Sequence, residues 1–458
     1  MYRLLTVLAL VVALATCPWS AQALTLLSPS PDQVVREKVK IAIPVNELPA
    51  GFVVGKDETV PEKGRPFVTL SVVEGGLEQL VAAISPDAGI VKGGAFIFYW
   101  DSKAPYRDPK DAKKERFWKD GKHTLKVGLY DFLGKLMDTA TVDVNLRNKI
   151  PRSNPAPAVS LVNRLVFGES HAYKVHAEVQ VFHIVSGTAL PILGGMGMTS
   201  DFKIVQSVED KRPDGSYLLR CRMDPKGYIS SMGKKVELFP NERPELYRLV
   251  DKYGNVINRN VFSRQGKYTM MDVLPVLPRG PVREGDSWPV TCDLKVEGIT
   301  GVIPLKGTSQ LDSFEWQDGH ECARIISVLT GTSQIWMDNG RIRSSEGHTV
   351  TATTVTFFAY KTGKMIYRET TLEFPANILP GAGEIEGSET SGPSGYPGPP
   401  GPGAEPMSDE DLEPMRGPYR SPGSTYSPSP TPLGTGTSEA AAVRKGSVQI
   451  KVVVRLEK

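Results

Sequence analysis

The run HAYKVHAEVQVFHIVSG, His171–Gly187, sets Tyr173, Val175, Ala177, Val179 and Val181 on one side of an extended chain. Lys174, His176, Glu178, Gln180 and Phe182 fall on the other. A two-residue period held over that length reads as a long strand. Runs of the same kind, rich in Val, Ile, Thr and aromatic residues, recur from Leu24 to Phe374 and are divided by Pro, Gly and Asp. The pattern places the chain in the all-β class.

Two β regions are expected. Residues 24–148 hold about seven short strands, which predicts an Ig-like β-sandwich. Its clearest part is DGKHTLKVGLYDFLGKLMDTATVDVNLRN (Asp120–Asn148), where Leu125, Val127 and Leu129 alternate with Thr124, Lys126 and Gly128. DFLGK turns the chain, and Val142 and Val144 return on one face, so a hairpin is predicted. Residues 149–160 (KIPRSNPAPAVS) read as a Pro-punctuated linker held extended. Residues 161–377 predict a larger antiparallel domain with a strongly curved sheet or open barrel. Within it NERPELYRLVDKYG (Asn241–Gly254) reads as a short helix, with Pro244 near its start.

Residues 378–443 change character. Gly, Pro, Ser, Thr and Glu dominate, so the stretch cannot bury enough apolar surface to offset its chain entropy and is expected to be disordered. Beyond it, GSVQIKVVVRLEK (Gly446–Lys458) carries Val448, Ile450, Val452 and Val454 in phase. Residues 444–458 are therefore expected to return as a closing strand of the larger sheet, with the low-complexity stretch an insertion.

The N-terminus is read as an address. Arg3, an apolar run from Leu4 to about Thr16, and Ala21-Gln22-Ala23 match a secretory signal peptide over residues 1–23. Export to the periplasm, cell surface or exterior is expected. Lipid anchoring through Cys17 is the alternative, with Thr16 and Pro18 against it. No segment is apolar over the roughly 20 residues a permanent membrane helix needs. A net charge of +3 on 458 residues is too mild to call for nucleic acid.

Candidate sites are few. LPRGPVREGDSWPV (Leu277–Val290) carries Glu284 and Asp286 two residues apart, a spacing open to acid/base chemistry. The competing reading is a structural corner: Pro281 stiffens the approach, Gly285 supplies positive φ, Asp286 bonds a nearby amide and Trp288 seats the next strand. The corner is expected. LPILGGMGMTS (Leu190–Ser200) offers Leu193, Met196 and Met198 as a mobile lip over an apolar cavity, against a plain Gly-rich hairpin tip. His171 and His183 face one way and His176 the other, so the three do not converge on a metal. Cys221, Cys292 and Cys322 have no metal-ligand spacing and read as buried apolar residues. No nucleophile elbow or phosphate loop occurs, and no cofactor is expected.

Two resemblances add to this reading. Asp120–Asn148 resembles the closing hairpin of Ig-like modules in secreted bacterial proteins. VLPVLPRGPVREGDSWPV, with the later CARI strand (Cys322–Ile325), is similar to a domain of exported bacterial proteins of unknown function. The resemblance implies export and a β-rich fold, and no reaction. Three functions stay open. The first is a non-enzymatic envelope or secreted protein that binds or scaffolds an unknown protein or envelope component. The second is a carrier of an apolar ligand such as lipid in the curved domain. The third is an enzyme with an unrecognised site.

Overall fold

The computed structural model describes residues 24–48, 52, 66–108, 111–154, 156–185, 188–191, 198–223, 227–231, 234–237, 245–258, 273–294, 303–333, 336–337, 342–343, 348–378 and 444–457. The leader expected over residues 1–23 and the low-complexity stretch from 379 to 443 lie outside them. Among the described residues the helices are two single 3-10 turns, Val45–Glu47 and Pro86–Ala88, and none is long and apolar enough to cross a membrane. The protein is all-β.

The N-terminal part is a two-sheet sandwich. Its strands are β1 (Gln33–Val35), β2 (Lys38–Pro44), β3 (Phe67–Glu74), β4 (Leu77–Ile84), β5 (Ile90–Lys92), β6 (Ala95–Asp101), β7 (Tyr106–Asp108), β8 (Asp111–Arg116), β9 (Gly121–Tyr130) and β10 (Leu136–Leu146). One sheet runs β1-β10-β9-β3-β4 and the facing sheet β2-β6-β5. The expected hairpin is β9–β10. Gly134 turns it at φ +76°, and Asp131 Oδ1 accepts the amides of Leu133 and Lys135 at 2.9 and 2.8 Å. Leu125, Val127, Val142 and Val144 point inward against Ile41, Phe96 and Trp100 of the other sheet, all buried.

The larger part is one long antiparallel sheet. Its strands are β11 (Ser170–Val185), β12 (Thr188–Pro191), β13 (Met198–Lys211), β14 (Tyr217–Met223), β15 (Tyr228–Ser231), β16 (Lys234–Glu237), β17 (Glu245–Val250) and β18 (Val256–Asn258). There follow β19 (Ser287–Leu294), β20 (Ile303–Gln317), β21 (His320–Ser333), β22 (Trp336–Met337), β23 (Ile342–Arg343), β24 (His348–Ala359), β25 (Lys364–Ile378) and β26 (Arg444–Leu456). The main path is β18-β17-β14-β13-β11-β26-β25-β24-β21-β20-β19. Its two ends do not pair, so the sheet curls without closing into a barrel. β26 sits between β11 and β25, its first residue opposite the last of β25 (Ile378↔Arg444). Val448, Ile450 and Val454 are buried along it.

Bulges in β13, β20 and β25 bend the strands. On β20, a Cβ at Gly307 would lie 2.0 Å from the Val328 carbonyl oxygen, and one at Gly331 on β21 would lie 2.4 Å from that of Pro304. These glycines let the backbones of β20 and β21 approach closely.

Two expectations need correction. The segment read as a helix over 241–254 forms β17 in its described part. Its residues pair with β14 from Tyr217↔Val250 to Arg222↔Glu245, and that pairing buries Leu246, Leu249 and Val250. Tertiary pairing overrides the local preference. The linker is also more than a spacer. Lys149 bridges to Glu315 and Val159 to Val282, and Ile150 packs against the core of the large sheet. The sandwich adds Lys103, whose Nζ lies 3.1 Å from Glu315 Oε2, and Arg36, stacked 3.6 Å over the Trp316 ring.

Candidate functional site

The curl of the large sheet encloses a cavity of about 550 Å³ between its two ends. That lies in the range of roughly 300–1,000 Å³ typical of small-molecule sites. One wall comes from β13, β14, β17 and β18, the other from β19, β20, β21, β24 and β25. The stretch Val273–Val276 runs between them.

Register explains what reaches the cavity. On the second wall, Arg368 on β25, Thr356 on β24, Ile325 on β21 and Leu311 on β20 form one row. The next row is Thr370, Thr354, Ser327 and Ser309, ending at Trp288 on β19. Its hydroxyls pair along the row, Thr354 with Thr370 at 3.1 Å and Ser309 with Ser327 at 2.6 Å. On the first wall, Gln206 stands opposite Cys221, and Leu219 stands opposite Arg248. Leu219, Val250, Val273, Leu305 and Leu329 supply apolar lining. The cavity is thus amphipathic.

Its polar groups are deeply placed. Gln206 is 1% exposed, Arg248 3% and Thr356 2%. The Gln206 Nε2 donor is buried and finds no acceptor among the described residues. Burial lowers the pKa of Arg368, because the charged form loses its hydration. Burial also pushes the Cys221 thiol up, against the pull of the nearby Arg248 charge. Among the described residues the charged ones that line it are Arg248, Arg368, Lys306 and Asp293. Asp293 and Lys306 are exposed and belong to the rim.

The Leu277–Val290 corner holds one side of this site in place. Gly285 sits at φ +91°, donates its amide to the Leu311 carbonyl at 2.7 Å and accepts from Gln310 Nε2 at 2.9 Å. Asp286 Oδ2 accepts the Arg283 amide at 2.7 Å. Glu284 accepts the Phe314 amide at 3.2 Å. Pro281 is exposed, just ahead of the Val282–Val159 bridge. Trp288 is buried, and its indole N–H donates to the Val276 carbonyl at 3.2 Å. The corner therefore fixes the segment that passes between the two walls. At the other contact of that segment, a Cβ on Gly254 would lie 2.1 Å from the Pro275 carbonyl oxygen.

Of the expected lip, Leu193 and Met196 lie outside the described residues. Met198 is half-buried on β13, paired with Val179 and Ser231, and does not line the cavity. Cys221, Cys292 and Cys322 are free thiols. The first two line the cavity, while Cys322 packs in a separate cluster with Phe357 and Ile366. His176 pairs with Asp201 at 2.6 Å in an exposed position, and His171 lies 3.2 Å from Glu169. Among the described residues no group of three or more His, Cys, Asp or Glu is placed to hold a metal ion.

No family model and no curated protein matches the chain. Among solved structures, the chain is similar to one titled "Structures of Clostridium thermocellum CbhA fibronectin(III)-like modules". The identity is 12%, the match covers 39% of this chain and 84% of that one, and the TM-score is 0.14. The fold assignment rests on the strand pairing above and takes nothing from this likeness.

The two arginines went unnoticed in the sequence, yet each leaves a signal. Arg248 is in phase with the buried Leu246 and Val250, and Arg368 with Thr370 and the buried Leu372. An arginine on the apolar phase of a strand is the trace of a polar interior. Reading 241–254 as a helix hid the first case.

Proposed function

We propose that this chain is a non-enzymatic binding protein that carries a small ligand inside the curl of its large sheet. The observation that carries the reading is the buried Gln206 Nε2, a donor without an acceptor among the described residues on the wall of a 550 Å³ cavity. An orphaned buried donor costs about 1–3 kcal/mol, which a ligand acceptor would recover. With the leader pattern over residues 1–23, the reading becomes an exported carrier of the cell envelope or exterior. The expected ligand is no longer purely apolar, because the lining is mixed.

Native mass spectrometry of the full chain, purified without detergent, tests the proposal. A discrete non-peptide adduct that is lost on denaturation supports it. A bare polypeptide mass, with no small molecule taken up on titration, overturns it.

A protein or envelope partner is the second reading. Phe132, Leu133 and Met137 at the β9–β10 tip are 57%, 78% and 54% exposed. Co-sedimentation of the full chain with envelope fractions, unchanged by Leu133→Asp, would rule that tip out.

A further inference from the structure

We infer that Asp138 binds the α-amino group freed when the bond between Ala23 and Leu24 is hydrolysed, so that removal of the leader completes the sandwich. The inference shares the leader pattern with the export reading and is independent of what the cavity holds.

Position carries it. The cleavage point was read from Ala21-Gln22-Ala23 alone. The residues directly after it are held from the first one on. Leu24 is buried in the sandwich core with Ile41, Phe96 and Trp100. Thr25 gives its amide and its hydroxyl to the Glu47 carboxylate at 2.6 and 2.5 Å. Leu27 gives its amide to the Ala42 carbonyl at 2.8 Å. The Leu24 nitrogen itself lies 2.6 Å from Asp138 Oδ2.

Asp138 has the complementary need. On β10 it is in phase with Ala140, Val142 and Val144, which face the core, and it is half-buried there. A register shift between Leu136 and Asp138 precedes it. Among the described residues its carboxylate accepts the amides of Leu24 and Thr139 and forms no salt bridge. An acid on the apolar phase of a strand is costly without a counter-charge. Hydrolysis by a leader peptidase supplies one. Water adds at the Ala23 carbonyl carbon, the released leader ends in a carboxylate, and the Leu24 nitrogen leaves protonated as an ammonium. The contact with Asp138 then becomes a charge-assisted pair without any movement of the chain. A chain that began at a lipidated Cys17 would keep a neutral amide at Leu24 and bring Asp138 no counter-charge.

The full 458-residue chain, produced with its leader in an exporting bacterial host, gives the first test by intact mass. A chain that starts at Leu24 and carries no lipid is expected. A start at any other residue overturns the inference and leaves export standing. Retention of residues 1–23 overturns both. The second test compares the whole chain from Leu24 with the same chain retaining Gln22-Ala23, each freed from a cleavable N-terminal fusion. The retained dipeptide should lower the melting temperature by about 2–4 °C, and by less than half as much in Asp138→Asn, which keeps an oxygen acceptor and loses the charge. Equal losses in both backgrounds, or no loss in either, overturn the pairing. Acylation of the Leu24 α-amine, followed by mass spectrometry of the N-terminal peptide, decides even if the variant fails to fold. It should run at least about tenfold slower in the folded chain than in urea. Equal rates overturn the inference.

Discussion

Gly285 holds φ +91° with nothing within 4 Å of where its Cβ would sit. Its requirement is conformational, not spatial. A β-branched side chain there meets left-handed strain, and Gly285→Val should lose about 1–3 kcal/mol in chemical denaturation. Glu284, one residue earlier, behaves oppositely. Its Oε1 accepts the Phe314 amide, and a glutamine keeps that oxygen, so Glu284→Gln should stay within about 0.5 kcal/mol of wild type. A large loss there would mean that the charge matters, and the acid/base reading of the corner would reopen. This corner was legible in the sequence, because turn chemistry is local: Gly for positive φ, Asp for a nearby amide. His171 was not, since its environment is assembled by strands far apart. Burial lowers its pKa from the ordinary 6.5, Glu169 opposes this and Lys364 adds to it. The folded protein therefore favours the neutral ring. That contribution is fully present above pH 6.5 and declines as the pH falls through and below that value. Glu169 is also lowered from 4.5: burial alone would raise it, but the Lys364 hydrogen bond and the His171 charge outweigh that, so it adds a further loss only at more acid pH. Melting temperatures recorded from pH 7.5 to 5.5 should fall, and the fall should be smaller in His171→Gln.

At the scale of strands, the two-residue period carried most of the information. It marked β9, β10, β11 and β26 because each has one buried and one wetter face, and the alternation records that directly. It failed at β17, where Leu246, Arg248, Leu249 and Val250 are all buried. An element buried on nearly every side shows no clean period, so short-range pattern cannot separate strand from helix. The close approach of β20 and β21 was illegible for another reason. Gly307 sits in KGTSQL without any turn signal, and its role depends on β21 lying against it. Gly307→Ala would drive a methyl into the Val328 carbonyl, so the two strands must separate there. The expected cost is about 1–3 kcal/mol by urea denaturation. Gly280→Ala is the control, because its Cβ would meet nothing and its φ lies outside the left-handed range; it should change stability by less than about 0.5 kcal/mol. Comparable losses in both variants would show that the close approach at Gly307 is not what the alanine disrupts.

For the whole molecule, the sequence could name two β regions but not how they meet or what they enclose. The cavity joins residues 206 and 368, and the junction joins residues 103 and 315. Such pairings follow from register summed over many strands, which no local pattern records. The junction is nevertheless specific. Lys103 leaves the sandwich after β6, passes 4.0 Å over the Phe357 ring and donates to the Trp316 carbonyl at 2.8 Å and to Gln317 Oε1 at 3.0 Å. Its ion pair with Glu315 is largely shielded, the two side chains being 19% and 12% exposed. Removing one partner strands the other in a poorly solvated place, so Lys103→Met should cost about 2–4 kcal/mol, somewhat below the range for a fully buried pair. Glu315→Gln should cost less, because the amide oxygen still accepts from the lysine. If the ion pair is what couples the sandwich to the large sheet, the double variant should be less destabilised than the two single losses added together, by at least about 1 kcal/mol. Strict additivity would assign the junction to the Trp316 and Gln317 hydrogen bonds and to the Arg36 stack. Calorimetry adds an independent readout. Where the coupling is intact the two parts should melt in one transition, and Lys103→Met should split it in two, with the Cys292 alkylation rate following only the transition of the large sheet.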